Sequence, residues 1–242
     1  MTGKAIPNRV LVTGGGRGIG AAIVRTLATG GHDVLFTYRT PFVGAAVTAR
    51  RLDLADRAAV EAFAREQEDA APWDAFVQVA GTTYDTLATV MDQDAAEETM
   101  QVNYWAFARI ARAVVRPMLR ARSGRIVVIG SVMGLHASQG NASYAASKAA
   151  LLSYVRTLAI ESAKRGVTVN YVAPGFVDTE MLAPYAAYRP GIEARIPAGR
   201  FARPDEIAAV AAFLASPAAG YINGAYIPVD GGLTASLGIH RG

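Results

Sequence analysis

The amino-acid sequence predicts an α/β fold: a doubly wound parallel sheet flanked by helices, in a single domain of residues 1–242. Short apolar runs alternate along the chain with longer segments of helical periodicity, which is typical of a parallel sheet with helical crossovers. A glycine-rich turn joins the first apolar run to the first helical segment. The chain is 242 residues long and 52% hydrophobic, which is sufficient for one large core.

The elements are predicted from periodicity and from helix start and stop signals. Asp56 is the expected N-cap of the second helix, and Asp92 or Asp94 that of the third, which Pro117 should kink or end. Residues 41–46 leave room for one helical turn at most, so the crossover there should be truncated. The predicted strands are residues 9–13, 32–38, 47–53, 74–79, 125–130, 167–173 and 225–229. The predicted helices are residues 19–29, 57–67, 92–118, 143–163 and 204–215.

Composition excludes several classes of function. The chain has no cysteine, so disulfides, thiolate catalysis and cysteine-type zinc sites are excluded, and we expect no metal. No apolar run is long enough to span a membrane, and the N-terminus lacks a signal-peptide pattern, so we expect a cytoplasmic protein without a membrane partner. The net charge of +4 is spread along the chain. That distribution argues against nucleic-acid binding and suits an anionic small molecule or an acidic partner protein.

The glycine-rich turn after the first strand predicts a phosphate site. Glycines let backbone N–H groups approach a pyrophosphate, and the N-terminus of the following helix adds partial positive charge. A strand before the turn and a helix after it supply the context that this motif requires. We therefore predict that a dinucleotide contacts the turn residues Gly14, Gly16, Arg17, Gly18, Ile19 and Gly20.

The end of the second strand predicts which dinucleotide is bound. NAD-binding proteins usually place a carboxylate there for the ribose 2′-hydroxyl, but this chain has Tyr38, Arg39 and Thr40. Arg39, helped by Arg17, could pair with a 2′-phosphate through charge-assisted hydrogen bonds. The sequence therefore predicts NADPH/NADP+ as the cofactor. The alternative is that Arg39 is an ordinary solvated arginine in a loop.

Tyr144 and Lys148 are four residues apart on a predicted helix and therefore share one face. A neighbouring ammonium favours phenolate, so we expect Lys148 to lower the pKa of Tyr144. Tyr144 would then be a proton donor to a carbonyl oxygen. Ser131 lies thirteen residues upstream, just past the fifth predicted strand.

Residues 176–201 follow the carboxyl end of the sixth strand and contain several prolines and glycines. A long irregular segment at this position is uncommon without a function, because ligands of parallel sheets bind at that edge. We predict a mobile lid over the substrate at about 176–201. The alternative is a plain surface excursion.

Taken together, the ordered motifs resemble the short-chain dehydrogenase/reductase family, whose sheet is of the Rossmann type. The resemblance covers nearly the whole chain. The residues that carry it are Thr13-Gly14-x-x-x-Gly18-Ile19-Gly20, Asp53-Leu54, Ala80-Gly81, Asn103, Ser131, Tyr144-x-x-x-Lys148 and Pro174-Gly175-x-Val177-x-Thr179.

The resemblance implies roles for four catalytic residues. Ser131 would hydrogen-bond the substrate carbonyl, and Tyr144 would donate the proton as nicotinamide delivers hydride. Lys148 would hold the ribose hydroxyls and keep the Tyr144 pKa low, and Asn103 would bind a water that links Lys148 to solvent. The alternatives are a turn cap for Ser131 and a polar residue bonded to backbone for Asn103. The further cofactor contacts that the resemblance implies are Asp53, Leu54, Ala80, Gly81, Tyr144, Lys148, Pro174, Val177 and Thr179.

Within that family the chain resembles the 3-oxoacyl-[acyl-carrier-protein] reductases. The residues that carry this closer resemblance are Ala80-Gly81-x-Thr83-x-Asp85-x-Leu87-x-x-x-Met91, Pro117-Met118-Leu119, Ile196-Pro197-x-Gly199-Arg200-Phe201 and Pro204-x-Glu206-Ile207. It implies that Arg122 and Arg165 flank the site mouth and engage an acidic acyl-carrier protein. The alternative is two arginines favoured at helix ends by the helix dipole. The family resemblance also implies a homotetramer, built through the helices at 92–118 and 143–163 and the last helix and strand.

The chain departs from the family pattern at Gln78-Val79, where the family usually has two asparagines, so we expect a lost cofactor contact and weaker support for the strand. The short crossover and the long tail at 234–242 are further departures. The leading hypothesis is NADPH-dependent reduction of a 3-oxoacyl thioester to the 3-hydroxyacyl product, in fatty acid or polyketide biosynthesis. A second is oxidation or reduction of another ketone or secondary alcohol, such as a polyketide intermediate or a sugar. A third is a non-catalytic dinucleotide sensor.

Overall fold

The computed structural model describes residues 9–40 and 47–236, and within them the strands form one parallel sheet. Its order is β3-β2-β1-β4-β5-β6-β7. The strands are β1 (Arg9–Thr13), β2 (Asp33–Tyr38), β3 (Thr48–Arg51), β4 (Ala75–Gln78), β5 (Gly124–Ile129), β6 (Val167–Pro174) and β7 (Tyr226–Val229). The predicted doubly wound α/β fold is confirmed.

Helices connect the strands and cover both faces of the sheet. They are α1 (Gly18–Thr29), α2 (Arg57–Asp69), α3 (Gln93–Met100), α4 (Ala106–Ala121), α5 (Ala142–Ser162), α6 (Arg189–Glu193) and α7 (Pro204–Ala215). Asp56 caps α2, with its carboxylate accepting from the N–H groups of Ala58 and Ala59. Asp92 caps α3, and a π-helical turn at Gln101–Trp105 joins α3 to α4. The helix does not end at Pro117 but continues to Ala121.

Two hydrophobic layers enclose the sheet because successive side chains of a strand point to opposite faces. Leu11 packs with residues of α2, α4 and α5 on one face. Val10 and Val12 pack with residues of α1 and α7 on the other. Burial on both sides explains why the strands appear in the sequence as continuous apolar runs. The sheet is therefore a rigid support for the loops at its edges.

The strand order reverses between β1 and β4, because the chain proceeds outward from β1 through β2 to β3 and then returns to β4. In open α/β sheets, ligands bind in the crevice beyond the carboxyl ends of the strands at such a switch point. Gln78 reinforces this crevice: its Oε1 accepts from Thr13 at 2.5 Å, and its Nε2 donates to the carbonyl of Ala80 at 2.9 Å. The expected weak support at Gln78 is therefore wrong, since the glutamine ties the ends of β1 and β4 together.

Three expectations need correction or a limit. β3 is shorter than predicted and largely exposed, as an edge strand paired on one side. Much of the segment at 176–201 is helical rather than irregular, with a 3₁₀ helix at Glu180–Tyr188 followed by α6. The predicted truncated crossover at 41–46, and the tail beyond residue 236, lie outside the described residues. Within residues 9–40 and 47–236, each helix is too short or too polar to span a lipid bilayer.

Candidate active site

The glycine turn after β1 is packed too closely to admit side chains. A Cβ on Gly14 would lie 2.6 Å from the Cα of Ala80, and one on Gly20 would lie 1.9 Å from the carbonyl oxygen of Gly14. Gly14 has a φ of +75° and Gly18 one of +51°, in the left-handed region that favours glycine. The turn thus brings the first N–H groups of α1 to the crevice between β1 and β4 with no side chain in between.

A cavity of about 350 Å³ lies along this crevice. The predicted cofactor residues that line it are Gly14, Gly16, Arg17, Arg39, Asp53, Leu54, Ala80 and Gly81. Gly18, Ile19 and Gly20 form the first turn of α1 beside it. Pro174 ends β6, Val177 forms a β-bridge with Ala202, and a Cβ on Gly18 would lie 3.2 Å from Thr179.

Three charged residues that line the cavity differ in whether another residue of the protein already binds them. Arg17 pairs with Glu180 of the 3₁₀ helix at 3.6 Å, and Asp53 accepts from the N–H of Ala55 at 3.0 Å. Arg39 is exposed on the cavity wall, and no ion pair to it is formed within residues 9–40 and 47–236. An exposed guanidinium beside a glycine cradle fits a phosphate-bearing ribose better than a plain ribose.

Ser131, Tyr144 and Lys148 are brought together at the carboxyl edge of the sheet. Ser131 is buried and lies just past β5, and its hydroxyl hydrogen-bonds the hydroxyl of Tyr144. Tyr144 and Lys148 are both on α5, and the Lys148 Nζ lies 5.5 Å from the centroid of the Tyr144 ring. Lys148 is only 3% exposed, and its Nζ donates to the carbonyl of Ile129 at 3.4 Å.

Desolvation dominates the electrostatics of Tyr144 and Lys148. Burial raises the pKa of Tyr144; the hydrogen bond with Ser131 lowers that pKa, and the negative charge of Asp85 raises it further. Burial lowers the pKa of Lys148 to about 8. The expectation that Lys148 lowers the pKa of Tyr144 is therefore wrong here. The lysine is itself desolvated and donates to a carbonyl, and Ser131 is the group that favours phenolate.

Asn103 lies in the π-helical turn and is completely buried. Its Oδ1 accepts from the N–H of Thr82 at 2.8 Å, and its Nδ2 donates to the carbonyl of Thr82 and to the hydroxyl of Ser147, each at 2.9 Å. A Cβ on Gly81 would lie 3.2 Å from the Asn103 Oδ1 and 3.3 Å from the Lys148 Nζ. Asn103 thus fixes the loop after β4 to α5, next to the lysine.

Asp85 is a residue of the site to which the sequence assigned no role. It accepts from Asn141, at the start of α5, at 2.6 Å, and also from the hydroxyl of Tyr185. That second bond raises the pKa of Tyr185 to about 12. The carboxylate therefore connects the loop after β4, the segment at 176–201 and the helix that carries Tyr144. Its place in a family-like motif was the only sequence signal, because the three partners are distant along the chain.

Arg122 and Arg165 lie at the opposite edge of the sheet from Tyr144. Arg122 follows α4 with a φ of +54°, and its Nη2 donates to the carbonyl of Lys164 at 3.0 Å. Both arginines precede the strands β5 and β6, whose far ends lead to the site, about 20 Å away along β5. Within one chain the two arginines therefore lie away from the site, and their contact with a carrier protein at a site mouth stays a prediction.

Comparisons with known proteins agree with this arrangement. The family model described as enoyl-(acyl carrier protein) reductase matches residues 14–234. The chain is 40% identical to the 3-oxoacyl-[acyl-carrier-protein] reductase FabG of Salmonella typhimurium, over 92% of this chain and 96% of that protein. It is also 40% identical to the 3-oxoacyl-[acyl-carrier-protein] reductase MabA of Mycobacterium tuberculosis, over 94% of this chain and 93% of that protein.

Among solved structures, a gluconate 5-dehydrogenase of Burkholderia cenocepacia in complex with NADP and tartrate superposes with a TM-score of 0.87. It is 32% identical, over 95% of this chain and 96% of that one. A protein of Beutenbergia cavernae, described provisionally as an NAD(P)-dependent gluconate 5-dehydrogenase and holding NADP at low occupancy, superposes with a TM-score of 0.91. It is 38% identical, over 95% of this chain and 97% of that one.

The desolvated lysine should cost the protein stability. A lysine that titrates near 8 when folded and near 10.5 when unfolded opposes folding by about 3 kcal/mol below pH 8. The unfolded chain binds the extra proton between these two values, so this cost disappears as pH rises from 8 to 10.5. Lys148→Met should therefore be more stable than the wild type in denaturant unfolding at pH 7, and the difference should shrink by pH 10. Lys164→Met, at an exposed lysine, is the matched control and should show no such pH dependence. Equal stability of Lys148→Met and wild type at pH 7 would contradict this account.

Proposed function

Because the chain belongs to the short-chain dehydrogenase/reductase family, we propose that it reduces the ketone of a 3-oxoacyl thioester to the 3-hydroxyacyl product. It is an NADP-dependent oxidoreductase. The observation that carries the proposal is the grouping of Ser131, Tyr144 and Lys148 beside the crevice, in a chain 40% identical to two 3-oxoacyl-[acyl-carrier-protein] reductases. The identity extends over nearly the whole of each protein, which favours the same substrate class.

The residues present fit the cofactor. The close-packed glycine turn would hold the pyrophosphate, and Arg39 and Thr40 would receive the 2′-phosphate. Lys148 and Tyr144 would hold the hydroxyls of the nicotinamide ribose, near the opening that Gly81 leaves. When bound, NADPH supplies a hydride to the carbonyl carbon.

The proton comes from this chain's own residues. The Ser131 hydroxyl would donate a hydrogen bond to the substrate carbonyl oxygen and hold it next to Tyr144. Tyr144 would then give its phenolic proton to that oxygen, which completes the alcohol. The phenol is protonated at neutral pH, as a general acid requires; burial raises its pKa and so weakens it as an acid, and the hydrogen bond with Ser131 acts in the opposite direction. Asn103 would act by holding the loop at Thr82 rather than by touching the substrate.

The charge near Tyr144 favours an uncharged reacting end of the substrate. Asp85 acts on Tyr144 through its negative charge, so a substrate carboxylate close to the reacting carbon would be repelled. A 3-oxoacyl thioester has no charge beside its ketone. The carboxylate of gluconate is at C1, four carbons from the C5 centre that a 5-dehydrogenase oxidises, so this repulsion by itself does not separate the two substrates. The second candidate, a dehydrogenase of sugar acids, rests on the superposition with the gluconate 5-dehydrogenase of Burkholderia cenocepacia. The segment at 176–201 would close over either substrate as a lid, tied to Asp85 through Tyr185.

A carrier protein could reach the site through a second subunit. Trp105 and Ile160 are 47% and 79% exposed on the α4–α5 side, which suits a subunit interface in a homotetramer. If two copies pack α4 and α5 antiparallel about a two-fold axis, the edge with Arg122 and Arg165 lies beside the partner's site. An acidic acyl-carrier protein on those arginines would then deliver its thioester to the partner subunit.

Turnover with three substrates tests the substrate class. We expect NADPH oxidation with a 3-oxoacyl thioester on acyl-carrier protein, slower turnover of the same acyl group on a small thiol, and none with 5-ketogluconate. The double variant Arg122→Glu/Arg165→Glu should raise KM for the carrier-linked substrate about 10-fold or more and leave the small thioester unchanged. Turnover of 5-ketogluconate in preference to either thioester would overturn the proposed substrate class. An unchanged KM in the double variant would contradict only the proposed contact between the two arginines and the carrier protein.

Removal of the phenol should abolish chemistry and spare cofactor binding. Tyr144→Phe keeps the ring but has no proton to give, so kcat should fall by about 10²- to 10⁴-fold. The Kd for NADPH should rise by no more than about 10-fold, because only one neutral hydrogen bond to the ribose is lost. Fluorescence titration with NADPH and steady-state turnover measure the two effects. Tyr221→Phe, at a fully exposed tyrosine, is the matched control and should behave as wild type. Full turnover by Tyr144→Phe would exclude the proposed mechanism.

Arg39 should set the preference for NADPH over NADH. Because a hydrogen bond to a charged group contributes about 1.5–3 kcal/mol, Arg39→Ala should weaken NADPH binding about 10- to 100-fold and leave NADH binding unchanged. Isothermal titration with both cofactors measures this. Arg57→Ala, at an exposed arginine at the start of α2, is the control and should change neither affinity. Equal weakening of NADPH and NADH binding would mean that Arg39 does not contact the 2′-phosphate and affects both cofactors alike.

A further inference from the structure

Tyr171 is a buried tyrosine in the middle of β6, and its hydroxyl contacts the backbone of the active-site residues Ser131 and Lys148. Its side chain is completely buried, and its ring stacks on that of Tyr226 in β7, with centroids 5.7 Å apart. The N–H of Ser131 donates to the Tyr171 hydroxyl oxygen at 2.9 Å. The hydroxyl proton faces two carbonyl oxygens, that of Ser131 at 3.1 Å and that of Lys148 at 3.2 Å.

Two glycines make the space that this tyrosine occupies. A Cβ on Gly130 would lie 1.7 Å from the Cζ of Tyr171, and one on Gly134 would lie 2.8 Å from its hydroxyl oxygen. Gly130 directly precedes Ser131, and Gly134 ends the short 3₁₀ turn that Ser131 caps. The backbone on both sides of the serine is therefore fitted around the Tyr171 ring.

The hydroxyl joins two elements whose relative position matters for proton transfer. Ser131 belongs to the loop after β5, whereas Lys148 and Tyr144 belong to α5. Tyr171 hydrogen-bonds the backbone of the first element on both its donor and acceptor sides, and that of the second at Lys148, one turn after Tyr144. Backbone contacts set where the Ser131 hydroxyl lies relative to the Tyr144 hydroxyl.

We infer that Tyr171 is a positioning residue: its hydroxyl holds the Ser131 loop in register with α5, so that the Ser131 hydroxyl lies within hydrogen-bonding reach of both the Tyr144 hydroxyl and the substrate carbonyl. This inference rests on the proposed function, since it concerns the proton donor of that reaction. Tyr171 does not touch the substrate or the cofactor.

The expected signature of this role is a change in the titration of Tyr144. The groups that face Tyr144 are Lys148 on its own helix, Ser131 after β5, Asp85 in the loop after β4 and Tyr171 on β6. Of these, Ser131 lowers the pKa of Tyr144 through its hydrogen bond. If Ser131 moves, that bond weakens and the pKa of Tyr144 rises.

Tyr171→Phe tests the inference, because the ring and its stacking remain and only the hydroxyl is lost. We expect kcat to fall about 10- to 100-fold, as for a misplacement of about 1 Å, with the Kd for NADPH within about twofold of wild type. In the oxidation direction Tyr144 must lose its proton, so the rise of kcat with pH should move to higher pH. Partial unfolding would lower the active fraction without moving this profile, and thermal melting would report it separately.

Tyr226→Phe is the matched control. It removes the same atom from the other ring of the stacked pair, and in the described residues the Tyr226 hydroxyl is buried with no hydrogen-bond partner. We expect wild-type kcat and an unchanged pH profile for this variant. A similar loss in both variants, with no shift of the profile in either, would reduce Tyr171 to a packing residue and overturn the inference.

The inference and the proposed function can fail separately. If the wild type reduces a ketone other than a 3-oxoacyl thioester, the same kinetic test is run with that ketone, and the substrate proposal alone falls. A crystal structure of Tyr171→Phe requires no turnover, and we expect the Ser131 hydroxyl to move away from Tyr144. If Ser131 stays within hydrogen-bonding distance of Tyr144, the inference is wrong whatever the substrate.

Discussion

The site depends on the removal of water from a tyrosine and a lysine at the carboxyl edge of one sheet. Desolvation raises the pKa of Tyr144 and lowers that of Lys148 to about 8, so burial disfavours the charged form of each side chain. A phenol that is protonated at neutral pH can act as a general acid towards a carbonyl oxygen. Neighbouring titratable groups with shifted pKa values are common at active sites.

A rigid framework is needed to keep such groups out of water, and the sheet supplies it through cross-links between neighbouring loops. Gln78 joins the ends of β1 and β4, Asn103 joins the loop after β4 to α5, and Tyr171 joins the loop after β5 to the same helix. Each of these side chains is buried, so its hydrogen bonds are costly to lose and the loops have little freedom. The glycines at 81 and 130 allow these close approaches.

The residues proposed for proton transfer and those proposed to select the substrate lie in different parts of the site. Lys148 is buried and Tyr144, the proposed proton donor, is partly buried, both on α5 at the carboxyl edge of the sheet. Asp85 lies farther out, in the loop after β4, and Tyr185 lies in the 3₁₀ helix at Glu180–Tyr188. The carboxylate would disfavour a negative charge next to Tyr144, and it also raises the pKa of that tyrosine. The curated relatives and the solved structures therefore agree on the reaction and differ on the substrate.

Sequence patterns were sufficient to predict the succession of strands and helices along the chain, the glycine turn and the shared face of Tyr144 and Lys148. All of these follow from local periodicity, from glycine chemistry or from a spacing within one helix. The tertiary structure decided the direction of the Tyr144 pKa shift, the placement of Arg122 and Arg165 at the far edge of the sheet, and the contacts of Asp85, Gln78 and Tyr171. These features arise from burial and from contacts between residues far apart in the chain. A tyrosine in an apolar strand shows no sign, in the sequence, of what its hydroxyl will touch.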